Sequence, residues 1–223
     1  IGTSHIAKES VQQITKIIAD DKPDIVALEL DVQRATSLLQ KQKNKVSISD
    51  ILRIGVKGYI FVKLGQYAQQ KLGRSVGVMP GAEMKAGLLE ARRMKLQIAL
   101  VDQPIQITLK RLSKAITWRE KGRFIGDIFK GLFRPKKQLA EMGFDKLDLS
   151  KVPTDKMIAK MMKHLQKRYP SVYKTLLDDR NNYMVKQLVR LLRKYPEKRI
   201  LAVVGAGHKE GMEKLLLKVD VLS

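Results

Sequence analysis

The chain has 223 residues, with 44 lysines and arginines against 22 aspartates and glutamates, for a net charge of +22. That length supports one sizeable core, or a core carrying an inserted subdomain. Cysteine is absent, which excludes disulfides, thiolate metal sites and a cysteine nucleophile, and fits a reducing compartment. No apolar run approaches the roughly 18 residues a membrane-spanning helix needs, and no signal-peptide pattern is visible.

The elements follow from periodicity. Ala7 to Asp20 carries Val11, Ile14, Ile17 and Ile18 at helical spacing and stops near Pro23. Asp24 to Leu30 (D-I-V-A-L-E-L) is a continuous apolar run, as expected of a strand covered on both faces. Helical spacing resumes at Val32, Ala35, Leu38 and Leu39, and Ser47 to Leu72 reads as a long helical region. After Pro80-Gly81 another helix is expected, with Ala86, Leu89 and Ala91 among its apolar positions. Ile98 to Val101 reads as a second buried strand ending at Asp102. From Ile105 to Tyr195 the pattern is almost wholly helical, and Ile200 to Val204 is a further strand. A short helix through Met212 and Leu215 and a last strand at Val219 to Leu222 complete the reading. Strands alternating with helices predict an α/β fold. Its mainly parallel central sheet would be flanked by helices, with a large helical insertion at about 105–195 in a single domain over 1–223. The chain opens on Ile1-Gly2 inside a motif, so a truncated first strand is expected.

Two of the three histidines close matching words at opposite ends of the chain, Gly2-Thr3-Ser4-His5 and Gly205-Ala206-Gly207-His208. Glycine before histidine lets the chain turn sharply, so that rings leaving strand ends can share a crevice. Each predicted strand also ends on capable side chains: His5 after the first, Glu29 and Asp31 at the second, Asp102 at the third and His208 at the fourth. Imidazole with carboxylate, and no thiolate, suits a divalent ion such as manganese, cobalt or zinc. The plainer reading of each histidine is structural. Glu29 would be costly in an apolar run unless paired, with Arg34 as one partner, or bound to a cation. Asp31 fits a helix cap and Asp102 an ordinary loop.

Asp179-Arg180-Asn181 is either a solvated helix start or a pair of donors laid over the sheet to hold substrate or an oxyanion. Gly205, Gly207 and Gly211 mimic a phosphate loop, but only 12 residues follow Gly211, too few for the rest of a dinucleotide unit. Arg123 to Pro135 is a basic amphipathic stretch with three phenylalanines, suited to its own core or to a membrane interface. The spread positive charge favours polyanions, an anionic membrane surface among them, or is a lysine-rich soluble surface. No zinc-knuckle or RNP-type signature points to nucleic acid.

These motifs, in order, make the chain resemble the TraB/PrgY family of pheromone-shutdown proteins, related to TIKI-type metalloproteases and the erythromycin-esterase/ChaN-like group. They are G-T-S-H-I-A-K-E-S-V at 2–11, A-L-E-L-D-V-Q-R at 27–34 and M-P-G-A-E-M-K-A at 79–86. D-Q-P-I-Q-I-T-L-K-R at 102–111, D-D-R-N-N-Y-M at 178–184 and V-V-G-A-G-H at 203–208 follow. The resemblance implies an active centre lined by His5, Glu29, Arg34, Arg180, Asn181 and His208, with Glu83 and Asp102 as further candidates. Gln103, where the family usually has arginine, and Asp179, where it usually has glutamate, depart from the pattern. The implied activity is a metal-dependent hydrolase, a peptidase acting on a signalling or other short peptide. His5, Glu29 and His208 would hold the ion, Glu29 would be a ligand or the base, Arg34 would orient Glu29, and Arg180 and Asn181 would steady the oxyanion. The alternative is a non-catalytic protein that sequesters peptides or binds a membrane surface. Relatives often carry hydrophobic segments after this domain, so a cytoplasmic domain of a membrane-anchored protein is expected, with a homodimer as a further expectation.

Overall fold

The computed structural model describes residues 1–3, 8–40, 81–133 and 155–219. Four parallel strands lie among them: β1 (Gly2–Thr3), β2 (Ile25–Leu28), β3 (Gln97–Leu100) and β4 (Ile200–Gly205). Their order across the sheet is β1-β4-β2-β3, so β4 separates β1 from β2. The expected α/β class with a parallel sheet therefore holds.

Helices α1 (Lys8–Asp21), α2 (Val32–Leu39), α3 (Ala82–Arg93) and α4 (Ile105–Ala115) follow in chain order. The helical run continues with α5 (Trp118–Phe133), α6 (Asp155–Arg168), a short α7 (Pro170–Tyr173) and α8 (Asp179–Lys194). After β4 comes α9 (Ala206–Leu216). The expected helix over Ser47 to Leu72 lies outside the described residues, as does most of the expected last strand. Val219 itself belongs to no strand and packs beside α8 and α9.

Strand β2 is buried at all four positions because both of its faces are covered. Val26 and Leu28 point into one core with Ile14 and Ile18 of α1 and Met84, Leu88 and Ala91 of α3. Ala27 points the other way, with Val101, Met184, Val185 and Leu188 of α8, Val204, and Met212 of α9. Alternation along β4 follows the same rule, with Val203 in the first core and Val204 in the second. The inner face of α3 is thus Met84, Gly87, Leu88 and Ala91. Leu89, another of the helix's apolar positions, is exposed. Gly87 belongs to that face because a Cβ there would stand 3.1 Å from the Leu28 side chain.

Helix starts are specified by side chains. Asp31 caps α2, its Oδ1 accepting from Arg34 N at 2.9 Å, as the sequence suggested. Thr117 and Glu120 form a capping box at α5: Glu120 Oε2 accepts from Thr117 N at 2.9 Å, and Thr117 Oγ1 accepts from Glu120 N at 3.2 Å. Between α7 and α8 lies one turn of π-helix, Lys174–Asp178. Such wide turns insert an extra residue and turn the following side chains onto a new bearing, often next to functional groups.

Register brings the strand ends level. Leu28 is opposite both Val203 and Leu100, and Thr3 is opposite Gly205. Glu29, Asp102 and Gly205 consequently sit along one edge of the sheet. This is the carboxyl edge, where open parallel sheets bind ligands.

Candidate functional site

Strand β2 ends at Leu28, so Glu29 is the first residue beyond it rather than a strand residue inside an apolar run. Its backbone N still reaches across to Val203 O at 3.0 Å, and its carboxylate lies over the end of β4. There Oε2 accepts from Gly205 N at 2.6 Å, and Oε1 meets Arg180 Nη2. Expectation had offered Arg34 as its partner, or a cation. The partner is Arg180. Arg34 Nη1 instead donates to Asp102 Oδ2 at 3.0 Å and approaches the Glu29 carbonyl oxygen at 3.5 Å, so it braces the backbone and not the carboxylate.

Asp102, read from sequence as either a site candidate or an ordinary loop residue, is a hub. It is buried just past β3 and takes a two-pronged contact from Arg180, Nε to Oδ1 at 3.0 Å and Nη2 to Oδ2 at 2.7 Å. Gln103 N closes on Oδ1 at 2.8 Å. The Gln103 side chain turns away to Thr108 Oγ1 at 2.6 Å, which satisfies a buried amide.

Arg180 reaches this edge from the first turn of α8, directly after the π-turn. Its remaining donors on Nη1 go to Leu176 O at 3.2 Å and to His208 Nε2 at 3.0 Å. All five guanidinium N–H groups therefore have acceptors: two on Asp102, one on Glu29, one on Leu176 and one on His208. Burial would lower the arginine's pKa, but its hydrogen bonds to Asp102 and the adjacent Glu29 charge outweigh that and raise it, so the group is a permanent cation.

An arginine has no lone pair to offer. His208 Nε2 must therefore be the acceptor, which places the imidazole proton on Nδ1. That nitrogen meets Asn181 Oδ1 at 2.6 Å. Asn181, expected as an oxyanion donor, holds the His208 ring from behind through Oδ1. Its space is made by Gly211 on α9, where a Cβ would run into Asn181 Nδ2. His208 Nε2 also lies 3.3 Å from Glu29 Oε1.

Four of the expected site residues thus converge directly: Glu29, Asp102, Arg180 and His208, with Arg34 and Asn181 supporting them from either side. Glu83 is buried in the first turn of α3. His5 lies outside the described residues. Sequence reasoning missed the Gly205 N–H, the Leu176 carbonyl and the π-turn as parts of the site; for none of these backbone features does side-chain type give a signal.

Donor chemistry suits a divalent ion in part. Glu29 Oε1 and His208 Nε2 point at one place, with His208 held from behind by Asn181 as a metal-bound imidazole usually is. That place is taken by the Arg180 guanidinium, which bonds to both. Among the described residues no group of three or more His, Asp or Glu is arranged to hold a metal. With Arg180 where it stands, the described residues do not fit an ion; His5, the third expected ligand, lies outside them.

A parallel α/β sheet whose carboxyl edge carries a buried arginine–carboxylate–histidine cluster defines the class of domain. The TraB/PrgY/gumN family profile matches residues 1–219, and the chain belongs to that family. An uncharacterised protein of Methanocaldococcus jannaschii is 36% identical over 223 residues, covering 99% of this chain and 53% of the relative. TraB domain-containing proteins of Bos taurus and Homo sapiens are 26% and 24% identical, each alignment covering 96% of this chain and 61% of the relative. The chain thus spans about half to three-fifths of the length of these relatives.

Proposed function

We propose that the cluster at the carboxyl edge is the centre of a hydrolase acting on a short peptide. The observation that carries this reading is His208 Nε2, which accepts one Arg180 N–H at 3.0 Å and lies 3.3 Å from Glu29 Oε1. Arg180 is the most open of the three, with 15% side-chain exposure against 3% for Glu29 and 5% for His208, so an incoming group meets it first. A peptide carbonyl oxygen that takes over the Arg180 Nη1–H releases Nε2 to accept a proton from water. Arg180 then faces the oxyanion that forms, and Glu29 faces the imidazolium. Asn181 keeps Nδ1–H engaged throughout. This reading moves the base from Glu29 to His208. Both Glu29 oxygens already accept hydrogen bonds, whereas the imidazole has one replaceable partner. The divalent ion on His5, Glu29 and His208 that the resemblance implies would require Arg180 to leave, and no step here is routed through it.

The test is mass-spectrometric cleavage of a mixed peptide set by wild type, His208→Gln and Glu29→Gln. Cleavage by wild type that falls about 100-fold or more in His208→Gln is expected, in line with loss of a general base. Equal cleavage by wild type and His208→Gln would remove the reading.

A second reading, peptide sequestration or attachment at an anionic membrane surface, is favoured by α5. Trp118 is 77% exposed and Ile125 56%, beside Arg119, Lys121 and Arg123. Among the described residues no helix is long and apolar enough to cross a membrane, so any attachment through them is peripheral. Co-sedimentation with anionic and neutral vesicles decides it: equal binding to both, or none, sinks the membrane version.

A further inference from the structure

We infer that Arg180 is the cation of this site, occupying the seat a divalent metal would need, so that the wild-type cluster of Glu29, Asp102 and His208 is closed to metal ions. Glu29 Oε1, Asp102 Oδ2 and His208 Nε2 are donors of the types that bind manganese or cobalt, and around Arg180 they are not arranged to hold an ion. All three face one guanidinium, at 2.7 Å for Asp102 Oδ2, at 3.0 Å for His208 Nε2 and in close contact for Glu29. Any ion near enough to bond these atoms would overlap Nη1 and Nη2.

Charge counting gives the same result. Two buried carboxylates, Glu29 and Asp102, face two guanidiniums, Arg180 and Arg34, and the cluster is neutral. A divalent ion added to it would bring two uncompensated charges into a buried site on a chain already at +22. Such charges cost far more in a buried site than in water. The guanidinium is also held by its own backbone, through Nη1 to Leu176 O in the π-turn. It is not a side chain that swings aside freely.

Removing Arg180 leaves three ligand groups, a net charge of minus one and an open seat. Arg180→Ala is therefore expected to acquire a metal site that the natural sequence blocks. This inference concerns binding alone and stands whether or not the hydrolase reading does.

Chelator-treated wild type, Arg180→Ala, Arg180→Lys and Arg180→Ala/His208→Ala are titrated with MnCl2 by calorimetry and by loss of the free-Mn EPR signal. The expected result is one Mn per chain for Arg180→Ala, about 100-fold or more tighter than any binding by wild type. Arg180→Lys retains the positive charge and stays blind to Mn, and the double variant loses the gain. Melting gives a second readout: Mn raises the midpoint of Arg180→Ala and leaves that of wild type unmoved. One tightly held Mn per wild-type chain overturns the inference on its own, even if no variant folds. So does an Arg180→Ala protein that folds and binds Mn no better than wild type.

Discussion

Replacing Gly211 with alanine tests the link between α9 and the site. In an open helix position this change stabilises, since glycine costs about 1 kcal/mol relative to alanine. At Gly211 the new Cβ runs into Asn181 Nδ2, and Asn181 cannot yield freely because its Oδ1 is bound to His208 Nδ1 at 2.6 Å and the side chain is buried. Overpacking of this kind costs about 1–3 kcal/mol. The net effect is a loss of up to about 2 kcal/mol, which for a chain of this size lowers the melting midpoint by up to about 8 °C. Gly122 in α5 is the matched control, because a Cβ there meets nothing within 4 Å. Gly122→Ala should raise the midpoint by about 1–4 °C from the same propensity gain. Calorimetric melts of the two variants beside wild type are the assay, with the His208 ring nitrogen resonances as a local reporter. A Gly211→Ala protein that gains stability as Gly122→Ala does, with an unchanged His208 spectrum, would show that Asn181 is not wedged against Gly211.

Arg180→Leu should cost about 3–5 kcal/mol in urea unfolding, because it strands Glu29 and Asp102 as buried charges. A loss below about 1 kcal/mol would mean the carboxylates are solvated after all. Burial alone would raise the Glu120 pKa, but hydrogen bonds from Thr117 and Ser171, the latter at 2.7 Å, leave it below its ordinary 4.5. A depressed folded value means the unfolded chain binds the proton more readily, so this stabilisation is present above pH 4.5 and fades as pH falls through the folded value. Glu120→Gln should flatten that acid limb of a stability-versus-pH curve, and an unchanged limb would contradict it. On the hydrolase reading, Asn181→Ala should leave the peptide KM largely alone and depress kcat, because it removes the Nδ1–H acceptor that orients the His208 ring; equal kcat in the two proteins would refute that role.

Much of this arrangement was readable from residue order. The apolar runs at 24–30, 98–101 and 200–204 became the parallel strands 25–28, 97–100 and 200–205. Only the first of these is buried throughout, and β3, expected to be buried, is half-buried. The acidic or histidine residues after the strands came to one edge. This follows because parallel strands put their carboxyl ends on the same side. The pairing within the cluster was not readable. Whether Arg34 or Arg180 faces Glu29 depends on the phase of α8, which the π-turn at 174–178 sets, and no side-chain periodicity reveals an inserted helical residue. Apolar type alone does not assign the inward face of α3, where Leu88 is buried and the adjacent Leu89 exposed. The Thr117–Glu120 box has a signature in T-W-R-E, which the reading of 105–195 as almost wholly helical passed over, and it marks the break between α4 and α5.

Placing β4 between β1 and β2 has a consequence for synthesis on the ribosome. The strand that joins the two halves of the sheet, at 200–205, is made long after β2 at 25–28, so β2 waits with one edge open while the residues between them emerge. Contacts so distant along the chain form slowly, and an unpaired strand edge invites association with other nascent chains. A pulse-labelled chain stalled before residue 200 should therefore remain protease-sensitive and chaperone-bound, and gain resistance only once β4 has cleared the exit tunnel.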